Sequence, residues 1–146
     1  MKKLLKLGMI VSLCMTSLLA VKDYQLRAVE KEILKEKLPN CINVKSYYDQ
    51  VYCSTKVYAI LDDVLNQTYR QVRKVLTREQ RNRLRKVQIQ WIHNRDKQCA
   101  SVSDRGVVVN MTCAKKQTLE SILYLNAIYN DPQNFDLILD EYAHGR

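Results

Sequence analysis

Four cysteines, Cys41, Cys53, Cys99 and Cys113, constrain this small chain more than any other feature. They follow an amino-terminal segment that reads as an export signal. Residues 1–20 carry Lys2, Lys3 and Lys6 ahead of a short apolar run ending at Ala20. A basic start and a run this short fit a signal peptide, and the mature form is expected to have no transmembrane span. Ala20 suits the position before a cut, although Leu18 is bulky where a small residue is usual. Cys14 raises lipoprotein anchoring as an alternative, and the bulk of Leu13 argues against it. The expected location is periplasmic or secreted. There an even set of cysteines predicts two disulfides. A zinc site would be the rival use, but no C-x-x-C pair occurs, and His93 and His144 lie far apart. No metal or other cofactor is expected.

Removing residues 1–20 takes away three lysines and no acid, which lowers the net charge from +9 to +6. The remaining length suits one domain. With only three glycines and two prolines, long helices are expected and a turn-rich β-sandwich is not. Residues 21–40 read as a charged helical spacer with Leu26, Val29 and Ile33 at helical spacing, stopped by Pro39. A long helix is expected over about 44–76, because Tyr58, Leu61, Leu65, Tyr69, Val72 and Leu76 recur at steps of three and four. Thr77 with Gln80 makes a capping box for a second helix over about 78–98, whose inner face holds Leu84, Val87 and Trp91. A third helix is expected over about 110–129, after a brief extended piece at Val107–Val109. Residues 130–146 form an acidic tail, readable as a short amphipathic helix, a docked tail or a disordered end. The fold class is therefore all-α: a small disulfide-stapled antiparallel helical hairpin with a third packing helix.

A hairpin folded near Leu76 makes residues equidistant from the turn into neighbours. Nested bridges Cys53–Cys99 and Cys41–Cys113 fit that register best. Local bridges, Cys41–Cys53 and Cys99–Cys113, and the third pairing, Cys53–Cys113 with Cys41–Cys99, remain open, since four cysteines allow three connectivities.

The second helix carries Leu84, Gln88, Trp91, Arg95, Asp96 and Cys99 as L-x-x-x-Q-x-x-W-x-x-x-R-D-x-x-C. The first carries Asp62, Leu65, Asn66 and Tyr69 as D-x-x-L-N-x-x-Y. With Cys41, Cys53 and Cys113, these motifs resemble the LprI-like domain of bacteria, a family named after a lysozyme inhibitor, over about residues 41–125. The resemblance implies a cysteine-stapled helical domain in the cell envelope that blocks a cell-wall-degrading enzyme, lysozyme or another wall hydrolase. Where family members are rich in small residues and glycine after the third cysteine, this chain reads Ser103-Asp104-Arg105-Gly106-Val107.

The residues themselves add restraints. Animal lysozymes are basic, so a charge of +6 gives no long-range steering toward them, although a local patch could still dock. Asp131, Asp136, Asp140 and Glu141 are the conspicuous acidic patch. Trp91 reads as a core anchor, and a buried Arg95 needs a partner, for which Asp62 is in reach. Gln88 and Asn66 read as interhelical hydrogen-bonding groups. Arg78, Arg81 and Arg85 form a basic stripe, either a solvated face or a contact for an acidic protein, anionic lipid or wall polymer. Nucleic acid is disfavoured by export and by the absence of a recognisable module. His93 has no evident nucleophile beside it, and Asp62 and Asp63 point to different sides, so a non-enzymatic binding protein is expected. Two further readings are immunity to a peptidoglycan-degrading toxin and a structural role in the envelope.

Overall fold

The computed structural model describes residues 20–144; residues 1–19 of the expected export signal, Cys14 among them, lie outside these. Five α-helices occur among these residues: α1 (Asp23–Lys37), α2 (Tyr47–Val75), α3 (Arg78–Cys99), α4 (Met111–Asn130) and α5 (Phe135–His144). A two-stranded antiparallel ribbon, β1 (Ala100–Ser103) and β2 (Gly106–Val109), joins α3 to α4. Single 3-10 turns at Pro39–Cys41 and Pro132–Asn134 follow α1 and α4.

Side chains fix most helix starts. Ser46 Oγ accepts from the Asp49 amide at 3.0 Å, and Asn110 Oδ1 accepts from the Cys113 amide at 3.0 Å. Thr77 Oγ1 accepts from the Gln80 amide at 3.2 Å, while Gln80 Oε1 accepts from the Thr77 amide at 3.0 Å. That reciprocal pair satisfies two amide groups that a helix start leaves unbonded. It also confines the α2–α3 connection to Leu76 and Thr77.

The hub is α4, which packs against each of the other four helices and most extensively against α2. Its buried residues include Leu119, Ile122, Leu125 and Ile128, together with the polar Lys115, Thr118 and Ser121. Helix α2 turns Val57, Leu61, Leu65 and Val72 inward, and α3 contributes Leu84 and Trp91. Both ends of the described chain join the same core: Leu26, Val29 and Ile33 from α1, and Phe135, Leu139 and Tyr142 from α5. The apolar spacing in residues 21–40 and in the acidic tail therefore reflects docking. Arg83 of α3 holds α5 in place by pairing with Asp136 and covering the Phe135 ring, its guanidinium 5.4 Å from the ring centre.

All four cysteines are oxidised, but the nested pairing is corrected: the bridges are Cys41–Cys53 and Cys99–Cys113. Their Cα atoms lie 5.6 and 5.4 Å apart, within the range a disulfide spans. The reason is the position of α4. Helices α2 and α3 keep their closest backbone contacts with α4 and not with each other, so the equidistant cysteines do not become neighbours. Cys41 instead sits on the 3-10 turn before α2. Asn43, at φ 63°, lies in the loop between that turn and α2. This left-handed conformation is one that asparagine tolerates. Cys99 and Cys113 close the base of the ribbon.

Candidate functional site

Two features adjoin α3: an open groove along its middle beside α2, and the stapled ribbon that follows Cys99. The groove has a volume of about 380 Å³. From α2 it is lined by Asp62, Leu65, Asn66 and Tyr69, the complete first motif. From α3 it takes Arg85, Gln88, Ile89, Ile92 and Arg95. Helical spacing explains the first set, because positions 62, 65, 66 and 69 share one face.

Arg95 lies at the groove floor, buried where α2, α3 and α4 meet. Its Nε donates to Asp96 Oδ1 at 2.9 Å, and Nη1 donates to Asp62 Oδ1 and Thr118 Oγ1, each at 3.4 Å. The guanidinium also lies 5.0 Å from the Trp91 ring centre and 5.6 Å from that of Tyr58. A planar cation suits this position, since its edge reaches carboxylates while its face meets rings. Burial raises the Tyr58 hydroxyl above its ordinary pKa; the Arg95 charge opposes that shift, and Asp62 and Asp96 add to it. Trp91 is a core residue packed under this cluster, and Leu84 is fully buried. Asn66 is exposed and donates within its own helix to Asp62 Oδ2 at 3.4 Å, so it forms no interhelical bond with that amide. Tyr69 accepts from Arg73 Nη1 at 3.3 Å.

Gln88 enters a buried three-part cycle. The Tyr142 hydroxyl donates to Gln88 Oε1 at 2.7 Å, Gln88 Nε2 donates to Ser121 Oγ at 3.5 Å, and Ser121 hydrogen-bonds back to the Tyr142 hydroxyl. This ties α3, α4 and α5 together. The Tyr142 ring also stacks on Tyr124, with centres 4.8 Å apart. A second polar link went unrecognised in the sequence: Lys115 of α4 is buried, pairs with Glu30 of α1, and donates to Ser54 Oγ of α2 at 3.0 Å. Its signal was present, since Lys115 continues the inward stripe of Thr118, Leu119 and Ile122. Among the described residues no buried side-chain nitrogen or oxygen lacks a hydrogen-bond partner.

The ribbon exposes a run of apolar side chains. Val102, Val107, Val108 and Val109 all face solvent, Val102 with 84% of its surface accessible. Asp104 and Arg105 form the turn, and the Arg105 amide donates to Ser103 Oγ at 3.3 Å. Gly106 adopts φ 121°, a conformation that a side chain would strain. The Cys99–Cys113 bridge and the Asn110 amide, which donates to the Cys99 carbonyl at 2.7 Å, fix its base.

The basic stripe is less coherent. Arg78 and Arg85 are exposed, whereas Arg81 folds back to the Thr77 carbonyl at 3.4 Å. Three of the tail acids are engaged: Asp136 with Arg83 of α3, Asp140 with His144, and Asp131 with Asn134. Among the described residues no cluster of histidine, cysteine or carboxylate side chains could hold a metal ion. None of their helices is long and apolar enough to cross a membrane.

No curated protein and no solved structure matches the chain significantly. The profile of one family, Lysozyme inhibitor LprI, matches residues 41–131. That span runs from the first bridged cysteine to the end of α4 and takes in the groove, the ribbon and both disulfides. Covering more than half of the sequence, it establishes that the chain belongs to the LprI lysozyme-inhibitor family.

Proposed function

We propose that this protein is an exported inhibitor of a cell-wall-degrading glycosidase, lysozyme first, and that the ribbon Ala100–Val109 is the part that enters the enzyme. Family membership supports the inhibitor role, and the disulfides support a location outside the cytoplasm. The observation that carries the contact assignment is the ribbon itself. Polysaccharide-cleaving enzymes present a concave cleft with a pair of carboxyl groups. Blocking such a cleft calls for a narrow convex element that is already ordered before binding, because ordering it on contact weakens affinity. The ribbon is exposed, covalently closed at its base and rich in valine, and its turn carries Arg105 next to Asp104. Arg105 would meet the cleft carboxylates, so local complementarity offsets the unfavourable net charge. Groove residues Arg95, Asp62 and Gln88 act in this reading through the helical frame that holds the ribbon.

The test is turnover of isolated cell walls by lysozyme with increasing amounts of the mature, oxidised protein. The wild type slows hydrolysis. Arg105→Glu and the pair Val107→Ser/Val108→Ser lose most of that effect while keeping the helical signal and both disulfides. Unchanged lysozyme activity at large excess of the wild type rejects lysozyme as target. Inhibition of a bacterial wall hydrolase in its place would move the reading to immunity against a toxin. Full inhibition by the ribbon variants rejects the ribbon as the contact.

A further inference from the structure

The described chain passes from solvent to core across one peptide bond. Ala20 is exposed, whereas Val21 is only 4% accessible and its side chain belongs to the core cluster. The Val21 amide nitrogen donates to Glu120 Oε1 of α4 at 2.9 Å. Two residues on, Asp23 accepts from Lys116 Nζ of the same helix at 2.9 Å. Together these bonds pin the entry to α1 along one side of α4. Ala20 is also the small residue that signal cleavage requires immediately before the cut.

We infer that the Ala20–Val21 bond is the maturation site, and that cutting it creates a partly buried ion pair between the new Val21 ammonium and Glu120. This rests on the export reading above. The cut is a hydrolysis by a signal peptidase acting on the extended chain. Water adds to the Ala20 carbonyl carbon and the C–N bond breaks. Ala20 leaves as a carboxylate, and the Val21 nitrogen gains protons to become an ammonium. An amide-to-carboxylate hydrogen bond thereby becomes an ammonium-to-carboxylate ion pair at the same place, which strengthens it. Lys116 is paired with Asp23, and Glu120 is the carboxylate facing the new terminus. Cleavage comes before docking, because a buried Val21 would deny a protease its substrate. The apolar side chain then seats in the core while the ammonium fixes the register of α1.

Intact mass and amino-terminal sequencing of the exported protein test the cut. A first residue of Val21 with both disulfides formed is expected. A processed protein starting elsewhere overturns this inference and leaves export standing. An uncut chain held in the cytoplasm overturns both. The ion pair is tested on three forms of the mature chain: one starting at Val21, one starting at Ala20, and Glu120→Gln. Amide exchange in α1 is expected to be about tenfold slower in the Val21 form than in the Ala20 form, the order of effect of one charge-assisted hydrogen bond. Glu120→Gln removes that difference. Equal protection in the Val21 and Ala20 forms, or a difference that survives Glu120→Gln, rejects the pair; an Nα-acetylated Val21 form as well protected as the free amine rejects it independently.

Discussion

Lys115 is where breaking a single contact should do most damage. Its side chain is 8% accessible and that of Glu30 is 22% accessible, so each charge depends on the other for solvation. At hydrogen-bonding distance and an effective dielectric of about 20, their attraction is of order 5 kcal/mol. Desolvating both groups cancels most of that, so the pair as a whole adds little net stability. Losing one partner is different, because the other stays buried and unpaired. Lys115→Met should cost about 2–4 kcal/mol, below the largest single-partner losses because Glu30 can recover some water. Glu30→Leu strands Lys115 and should cost a similar amount. The double variant replaces both charges with apolar groups and should return to within about 1 kcal/mol of the wild type. Urea unfolding with the disulfides intact measures all four proteins, and each single variant should lower the midpoint by roughly 1–3 M. Hydrogen exchange should locate the loss in α1. A double variant as unstable as the sum of the singles would show that the two residues are uncoupled and refute the reasoning.

Other perturbations have comparably specific outcomes. Tyr142→Phe removes the donor to Gln88 Oε1 and should cost about 1–3 kcal/mol by thermal or urea unfolding, the expected loss for an unsatisfied buried acceptor. Replacing Cys99 and Cys113 together by serine opens a loop with a sequence separation of 14 and should cost about 3 kcal/mol in the chain-entropy description. The same change should loosen the ribbon and weaken inhibition beyond its effect on stability. The hydrogen bond from Lys116, and then its charge, hold the Asp23 carboxyl below its ordinary value of 3.8. A lowered carboxylate pKa contributes stability above the unfolded value and loses it as pH falls through the folded one. Protection at the start of α1 should therefore fade below about pH 4, and Lys116→Ala should return Asp23 to its ordinary titration by NMR.

The sequence speaks clearly where a local rule decides the outcome. Thr77 and Gln80 place the α2–α3 turn because their capping bonds involve only neighbours in the chain. The steps from Leu61 to Leu65, Val72 and Leu76 mark the inner face of α2 for the same reason. Disulfide pairing was not legible in that way. It depends on which helix lies closest to α2, and the hub role of α4 is a tertiary fact. Lys115 escaped notice because charge suggests solvent, and its partner Glu30 lies 85 positions away. The tail left its alternatives open for a related reason, and the docked amphipathic helix is the one observed. Phe135, Leu139 and Tyr142 keep a regular helical step, but the acids among them resemble a solvated end until Arg83 is found beside Asp136. The first motif was readable as a pattern, whereas its place along one groove was not, because the opposite wall comes from α3.

Competition at the lysozyme cleft tests the central assignment most directly. Binding of the mature, oxidised protein to lysozyme would be followed by titration calorimetry, with and without a short chitin oligosaccharide filling the substrate subsites. If the ribbon enters the cleft, the sugar and the protein exclude each other, and the apparent affinity falls in proportion to sugar occupancy. Binding that is unaffected by saturating sugar, or no binding at all, would contradict the account.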